Sequence, residues 1–381
     1  MKKSLYYVIA SMFLIPLSGL IPIRGTDIWY VQYLGFTTVL FFGISLYLWK
    51  WNKYISIFTI LVLISTLITA KQHPRAMFMM INIDIGCILL KYISENYKNR
   101  DILFKGLLWF IGVQCGWLLM QYCNLDPFFD NVVKTLPDPL TALSGSRNQM
   151  GLFMAVVIPL VIAKCIYLLP LVIFALLCSK TSSAVLGAII GTIFYLYITK
   201  HKVRHLSLVL VAIILILFLC KFEKFSSVEL NNRYLLYKTT ISQVENERLE
   251  ISKEKDGTKT TKIITCNKWF GYALGNFMRM SPFTQNYLWG GHIYRHTHND
   301  YIEIWFEMGR LGLISILMIL SNILYLFVRK TQEHDIKMLF SCLLIYCITA
   351  NGIFTMHTAV SLMLFVLIFG LLIGGLNGKK S

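Results

Sequence analysis

Charged residues are scarce in this chain. They make up 14% of its 381 residues, whereas a soluble protein carries about 25%. Hydrophobic residues account for 56%, and the mean hydropathy is +0.62. Apolar runs about as long as a bilayer-spanning helix, which needs roughly 20 residues, recur along most of the sequence. These features exclude a soluble globular protein and predict a polytopic helical membrane protein.

Acidic residues are especially few, with 19 against 36 basic residues and a formal net charge of +17. The basic residues are scattered between apolar runs rather than gathered into one patch, so we expect no nucleic-acid partner. The nine cysteines lie mostly inside apolar runs and lack the paired spacing of metal sites, which indicates small buried hydrophobes. No repeat of the solenoid kind is visible.

The apolar runs predict an all-α fold of about twelve transmembrane helices. The predicted spans are 5–23, 28–49, 54–70, 76–93, 102–122, 149–163, 165–179, 183–199, 206–220, 311–328, 338–354 and 359–376. Lys164 alone separates the spans 149–163 and 165–179.

Basic residues between these spans predict the topology, because cytoplasmic loops carry an excess of lysine and arginine. With both termini in the cytoplasm, sixteen basic residues fall inside and six fall in short outside loops. Residues 221–310 then form one long external loop domain. Its thirteen basic residues do not count against this topology, since long loops translocate largely regardless of charge. We therefore predict about nine transmembrane helices in 1–220, the external domain in 221–310 and about three helices in 311–381.

The external domain carries patterns of ordered structure. Apolar residues recur at helical spacing around Arg233, which predicts an amphipathic helix. Asp256-Gly257 lies between Leu249 and Ile251 on one side and Ile263 and Ile264 on the other, which predicts a β-hairpin that turns at Asp-Gly. The loop 123–147, stiffened by its prolines, is expected to lie beside this domain.

Histidines and carboxylates cluster where the external domain meets the next apolar run. Thr297 followed by Asp300 matches a capping box, which places His298 in the first turn of a helix that continues through Glu303 and Glu307. A helix N-terminus disfavours the imidazolium, so His298 would stay neutral and able to accept a proton. Alternatively, His298 only anchors the helix at the level of the lipid headgroups.

A metal site is a second alternative for the same cluster. His296, His298, Asp300 and Glu303 could supply its ligands, because the His-x-His spacing suits two ligands on an extended strand. Neither a Glu-x-x-His pair nor a second cluster accompanies them. We therefore expect no metal.

Three cations at predicted external ends of helices are candidate anion ligands, namely Arg147, Lys180 and Arg233. The guanidinium of Arg233 can bind a phosphate through two parallel hydrogen bonds. Arg233 and Lys180 could instead snorkel towards phospholipid headgroups. Asn148 is expected to cap the helix that follows, whose N-terminus would then face an anion.

The closing cluster resembles the O-antigen ligase and O-antigen polymerase superfamily of bacterial membrane glycosyltransferases. The family's motif is His-Asn-x-x-Leu-x-x-x-x-Glu-x-Gly-x-x-Gly. The corresponding residues here are His298, Asn299, Ile302, Glu307, Gly309 and Gly312.

Segments upstream are similar to the same family. Residues 270–277 resemble its Gly-x-Gly-x-x-Asn-Phe segment, with Ala273 in place of one glycine. Residues 233–237 resemble its Arg-Leu-x-x-Trp, with tyrosine for tryptophan, and residues 145–151 resemble its Gly-x-x-x-Asn-Pro-Asn imperfectly. Lys180 stands where the family usually has arginine, and an ammonium cannot reproduce the guanidinium fork.

The resemblance implies a GT-C-like fold and glycosyl transfer with inversion in the bacterial cytoplasmic membrane, with the active site facing outward. The donor would be a glycan linked through diphosphate to undecaprenol. The acceptor would be lipid A–core in a ligase, or another lipid-linked glycan in a polymerase. No cofactor and no obligatory metal are implied, and membrane lipids are the remaining partners.

On this resemblance we expect His298 and Arg233 to be catalytic. The residues expected to bind the diphosphate or the acceptor are Lys180, Arg147, Asn299, Glu307 and His296. A ligase is the leading expectation and the polymerase is its alternative. A secondary transporter is a remote alternative, since the sequence shows neither internal repeats nor broken midmembrane helices, which are typical of transporters.

Overall fold

The computed structural model of the chain describes residues 5–6, 8–10, 86, 88–125, 140–144, 146–199, 227–246, 248–255, 258–266, 268–269, 271–272, 277, 297–330, 333–353 and 359–377. The predicted spans 28–49, 54–70 and 206–220 lie wholly outside these residues, and 5–23 and 76–93 lie mostly outside them.

Eight α-helices and one β-hairpin are defined within the described residues. The helices are α1 (Arg100–Tyr122), α2 (Arg147–Lys164), α3 (Leu169–Cys178), α4 (Ser182–Thr199), α5 (Ser227–Glu245), α6 (Asp300–Lys330), α7 (His334–Thr349) and α8 (Ala359–Asn377), and the strands are β1 (Arg248–Lys255) and β2 (Thr258–Thr265). Short 3₁₀ turns occupy Tyr97–Asn99, Ala142–Ser144 and Ile166–Leu168. The helical class is confirmed.

Five of the described helices, α1, α2, α4, α6 and α8, are long and apolar enough to cross a bilayer. The stretch Ile166–Cys178, which contains α3, is apolar but shorter. These elements coincide with predicted spans, so the multi-pass character of the protein is confirmed. The total of about twelve helices and the external position of 221–310 stay predictions.

The break predicted beside Lys164 is present. Cys165 follows α2 with φ −158° and ψ 71°, which is not a helical conformation. The chain then returns along α2 as α3. Gly151, near the start of α2, faces the end of α3 so closely that an added Cβ would lie 2.6 Å from Ser179 Oγ. Glycine is required there because the two helices approach through it.

One end of the helical bundle is held by ion pairs. Asp335, at the start of α7, accepts hydrogen bonds from Arg100 Nε at 2.7 Å and contacts Lys164 Nζ at 2.7 Å. Glu333 pairs with Arg100 Nη2 at 2.6 Å. The start of α1, the end of α2 and the start of α7 therefore meet at this end, and the charge pattern predicts it to be cytoplasmic.

The candidate site residues lie at the opposite end of the bundle. The 16 residues of α7 rise by about 24 Å, at 1.5 Å per residue. The ion-paired Asp335 is at one end of this helix, and the segment Ala350–Gly352 is at the other. This separation is comparable to the hydrocarbon thickness of a bilayer.

The predicted β-hairpin is confirmed. β1 and β2 pair antiparallel, from Arg248 opposite Thr265 to Lys255 opposite Thr258. This register leaves Asp256 and Gly257 as the two connecting residues, the sequence that favours a tight hairpin turn. Among the described residues, the hairpin is the only sheet, so it is the exception to an otherwise helical fold.

Two glutamines on one face of α1 hold the segment that precedes α2. Gln121 Oε1 accepts the N–H groups of Thr141 at 3.1 Å and Ala142 at 2.8 Å. Gln114 Oε1 accepts the N–H of Leu143 at 3.0 Å. Both glutamines are buried. Buried backbone N–H groups require such partners, so these two side chains fix where α2 begins.

Helix α6 is broken at Gly309, which has φ 65° and ψ −163°. This left-handed conformation is accessible to glycine at little cost. The break splits α6 into a first part that belongs to the candidate site and a second part that matches the predicted span 311–328. The predicted domain boundary at 310 falls beside this break, although the boundary itself stays a prediction.

The segment formed by residues 268–269 and 271–272 satisfies backbone groups on both sides of the break in α6. The carbonyls of Lys268 and Trp269 accept the N–H groups of Arg310 at 2.9 Å and Leu311 at 3.1 Å. The N–H of Tyr272 donates to Phe306 O at 2.9 Å. Helix ends leave such groups without intrahelical partners, so this segment stabilises the break.

Candidate active site

The C-terminal end of α7 is the point where the candidate site residues converge. The last carbonyls of a helix have no intrahelical partner and carry partial negative charge. Three backbone carbonyls just past this end accept hydrogen bonds from other elements: Ala350 O from Asp300 N at 3.0 Å, Asn351 O from Asn299 Nδ2 at 3.4 Å, and Gly352 O from Arg233 Nη1 at 3.5 Å. The structure thus brings Arg233 and the His298–Asn299 pair to one place.

Helix α5 presents Arg233 and Tyr237 four residues apart and therefore on one face. The hydroxyl of Tyr237 donates to the backbone carbonyl of His298 at 3.4 Å. Burial raises the pKa of Tyr237, and the opposing effect of the Arg233 charge is smaller, so the hydroxyl is protonated and able to donate at neutral pH. Arg233 is half-buried.

A small apolar cluster fixes α5 against the first part of α6. It consists of Leu236, Val244, Tyr272, Phe277 and Phe306. Tyr272 stacks on the Phe306 ring with centroids 4.6 Å apart, and Phe277 meets the same ring edge-on at 5.2 Å. Aromatic pairs in these geometries contribute beyond their buried area. The cluster therefore sets the position of Arg233 relative to His298.

The capping box predicted from Thr297 to Asp300 is wrong in register. Asn299 is the capping residue, since its Oδ1 accepts the N–H groups of Tyr301 at 3.0 Å and Ile302 at 3.2 Å. The helix begins at Asp300. His298 has φ 56°, a left-handed conformation that cannot belong to the first turn, so it precedes the helix instead of lying in it.

The carboxylate that reaches back to Thr297 is that of Glu303. Its Oε2 accepts the N–H of Thr297 at 3.0 Å and lies 3.2 Å from Thr297 Oγ1. The Thr297 hydroxyl also contacts the backbone of Asn299, 2.6 Å from its carbonyl oxygen and 3.1 Å from its N–H nitrogen. The sequence pattern indicates Asp300 as the partner of Thr297, because Asp300 lies three residues after it. In the structure, the left-handed His298 shifts the helix start, and Glu303 comes within hydrogen-bond distance of Thr297 instead.

Lys180 lies in the tight turn between α3 and α4, with φ 50° and an exposed side chain. The turn is next to the convergence point, because a Cβ added at Gly352 would lie 2.5 Å from Ser183 Cβ. Three residues of chain span at most about 11 Å. The backbone of Lys180 therefore lies near Gly352, whose carbonyl accepts the hydrogen bond from Arg233.

Arg147 and Asn148 open α2 at the same end of the bundle. Arg147 is half-buried at the first helical position. The prediction that Asn148 caps α2 is wrong, because the extended Ser146 occupies the cap position. Asn148 Oδ1 instead accepts the hydroxyl proton of Thr181 at 3.1 Å. This contact ties the start of α2 to the turn that carries Lys180.

Glu307 is buried, with 2% of its surface exposed, and its Oε1 accepts the N–H of Phe277 at 3.1 Å. Gly271 has φ 72°, and an added Cβ would lie 2.6 Å from the carbonyl carbon of Glu307. These contacts hold the segments around 271 and 277 against the broken helix. They give Glu307 a structural role, and its binding of substrate stays a prediction.

His296 lies outside the described residues, so its predicted role is not tested. Within the described ranges, no group of three or more histidine, cysteine, aspartate or glutamate side chains could hold a metal ion. Glu303, one of the candidate ligands, is engaged with Thr297. The expectation that the site holds no metal stays a prediction.

The sequence pattern does not single out Tyr237 and Glu303 as contributors to this site. Tyr237 could have been found, because it lies four residues from Arg233 in the predicted helix and therefore on the same face. Glu303 is considered only as a metal ligand, although a buried glutamate in the first turn of a helix commonly bonds backwards to residues before the helix.

The fold and the site together define a multi-pass helical membrane protein with a cationic and histidine-bearing site at one end of its bundle. Residues 165–317 of the chain match the family model described as O-Antigen ligase. The matched stretch contains Lys180, Arg233, His298, Asn299 and Glu307, and Arg147 precedes it. No curated protein matches the chain.

The match confirms the resemblance to the O-antigen ligase and O-antigen polymerase superfamily. The stretch covers 153 of the 381 residues. It begins at Cys165, just before α3, and ends just beyond the break in α6. It therefore includes Arg233 and the His298–Asn299 pair, but not the end of α7.

Proposed function

We propose that the chain is an O-antigen ligase-type glycosyltransferase. It transfers a glycan from an undecaprenyl-diphosphate-linked donor to an acceptor hydroxyl at the outer face of the cytoplasmic membrane, and in a ligase that acceptor is lipid A–core. The observation that carries the proposal is the convergence of Arg233 and the His298–Asn299 pair on the end of α7. The family match supports it.

The cations serve the leaving group. Transfer releases a lipid diphosphate, whose negative charge grows as the bond to the sugar breaks. Fixed positive groups that meet charge developing in the transition state are among the strongest catalytic devices. Arg233 is oriented by Gly352 O, and Lys180 lies on the adjacent turn. Arg147, at the start of α2, is a further contact for the diphosphate or for the acceptor.

His298 serves the acceptor. The acceptor oxygen forms a bond to the anomeric carbon while the bond from that carbon to the diphosphate oxygen breaks, which inverts the configuration. The acceptor hydroxyl loses its proton, and the imidazole of His298 accepts it. General base catalysis of this kind contributes about 10² to 10⁴ in rate. The chemistry uses only side chains of this chain and requires no metal.

The ion-paired end of the bundle supports the outward orientation of the site. Arg100, Lys164 and Asp335 lie together at the end opposite Arg233. Cytoplasmic helix ends are rich in lysine and arginine, and this end carries the basic residues that the charge asymmetry assigns to the cytoplasm. The convergence point then faces outward, where a donor already moved across the membrane is available.

The glycan phenotype of a deletion strain tests the proposal and separates its two forms. Full-length polymer that accumulates on the lipid carrier is expected for a ligase, and single repeat units transferred to the final acceptor indicate a polymerase. Restoration of the wild-type glycan by the intact gene is the control. A deletion strain with unaltered surface glycan and no accumulated lipid-linked intermediate contradicts the proposal in both forms.

A further inference from the structure

The backbone of His298 is held in an unusual conformation. Its φ of 56° lies in the left-handed region, which non-glycine residues occupy rarely and at a cost. Such a conformation persists only when surrounding contacts determine it. The residues that make these contacts are therefore the ones that orient His298.

On the N-terminal side of His298, Glu303 makes one of these contacts, with Thr297. Its side chain is 1% exposed, and Thr297 is fully buried. Glu303 Oε2 accepts the Thr297 N–H at 3.0 Å. A buried carboxylate is costly unless it receives hydrogen bonds, and Glu303 also lies in the first turn of α6, where the helix dipole favours a negative charge. The contact therefore anchors the residue immediately before His298.

The residue immediately after His298 is anchored by further contacts. Asn299 caps α6 through its Oδ1, and its N–H donates to Thr297 Oγ1 at 3.1 Å. The carbonyl of His298 itself accepts from Tyr237 at 3.4 Å. With Thr297 and Asn299 both fixed, the backbone of His298 has to bridge them, and the left-handed conformation results.

We propose that Glu303 is a positioning residue that orients His298 through its hydrogen bond to Thr297. This inference rests on the proposed function for the role of His298 as the base. Glu303 is one turn from Glu307, but the two carboxylates hold different segments, since Glu307 binds Phe277 N. Loss of the Glu303 contact frees the 297–298 backbone without removing any group that touches substrate.

Kinetics distinguish this role from a merely structural one. A displacement of about 1 Å in an active site costs about 10²-fold in rate, so Glu303→Ala should lower kcat by about 10- to 100-fold. The KM for the donor should change little, because Arg233 and Lys180 are untouched. Glu303→Gln should retain most of the activity, since its amide oxygen still accepts the Thr297 N–H.

A labelling measurement tests the same idea without activity. Cys123 is exposed and Cys266 is partly exposed, so both are first replaced by serine. In this background, His298→Cys is modified with a membrane-impermeant maleimide. Adding Glu303→Ala should change the modification rate several-fold, whereas adding Glu303→Gln should not. Glu245→Ala is the matched control, because Glu245 is a carboxylate of the same region that pairs with Arg310 instead.

An unchanged labelling rate in Glu303→Ala overturns the inference. So does wild-type kcat in Glu303→Ala when His298→Ala is inactive, or a Glu303→Gln protein as impaired as Glu303→Ala. Failure of the proposed function has a different signature: His298→Ala then transfers glycan normally, while the labelling rate at position 298 still responds to Glu303→Ala.

Discussion

Gly271 packs directly on the backbone of Glu307, so that a Cβ at position 271 would lie 2.6 Å from the Glu307 carbonyl carbon and from Gly309 N. The contact joins residues 271–272 to the break in α6. Since Tyr272 N bonds to Phe306 O next to it, these contacts hold the first part of α6, which belongs to the candidate site.

Gly271→Ala is therefore expected to destabilise the protein. The substitution adds a steric clash to a φ of 72°, and a strained backbone of this kind costs about 1–3 kcal/mol. The midpoint of thermal unfolding in detergent should fall. Gly112→Ala is the control, because an added Cβ meets nothing within 4 Å there, and helix propensity makes alanine neutral or slightly stabilising. Equal midpoints for the two variants contradict the close packing.

The break in α6, against which Gly271 packs, is not predictable from the sequence. Gly309 lies inside an apolar helical pattern, and an isolated glycine there is usually tolerated without a break. The break depends on Lys268 and Trp269, about forty residues earlier in the chain. Local patterns do not encode such long-range partners, so the predicted helix through Glu303 and Glu307 is right while the break after Glu307 is not foreseen.

Features that depend on neighbouring residues alone are predicted well. The hairpin follows from Asp256-Gly257 between two apolar stretches, and the break at Cys165 follows from a single charge between two apolar runs. The predicted start of α6 differs by a small shift from the observed start at Asp300, because Thr297 and Asn299 are both good capping residues. The tertiary contacts of Asn299 with Asn351 and of Asp300 with Ala350 decide between them.

The topology predicts opposite accessibility for two exposed sites. Cys123 is an exposed native cysteine just past α1, at the end assigned to the outside. Tyr167 is 89% exposed between α2 and α3, at the end assigned to the cytoplasm. An impermeant maleimide applied to intact cells, or to spheroplasts where an outer membrane intervenes, should label Cys123 in a Cys266→Ser protein. It should not label a Tyr167→Cys protein that carries both Cys123→Ser and Cys266→Ser.

Permeabilised cells provide the control for this experiment, since both sites should then react. Labelling at position 167 but not at Cys123 in intact cells would show that the topology is the reverse of the predicted one. The site formed by Arg233 and His298 would then face the cytoplasm, and a donor on the outer face could not reach it.

Arg233→Ala is expected to abolish or strongly reduce glycan transfer, because it removes a charge that we propose stabilises the leaving diphosphate. Arg233→Lys should retain part of the activity, since the charge survives but the planar fork does not. Lys180→Arg, at the adjacent turn, should be tolerated because it supplies the fork at a second position. The measurement is transfer in membranes that contain equal amounts of each protein. Wild-type transfer by Arg233→Ala removes this residue from the site.

His298→Ala is expected to abolish detectable transfer while the protein reaches the membrane in normal amount. Loss of a general base costs about two to four orders of magnitude, and the backbone contacts of Thr297, Asn299 and Tyr237 do not involve the imidazole. The fold should therefore survive the substitution. His296→Ala is the matched control and should cost much less, because the family motif begins at His298. Chelators should leave the purified activity unchanged. An active His298→Ala protein beside an inactive His296→Ala protein assigns the base to the other histidine, whereas chelator-sensitive activity that is lost in both variants favours a metal site formed by the two histidines.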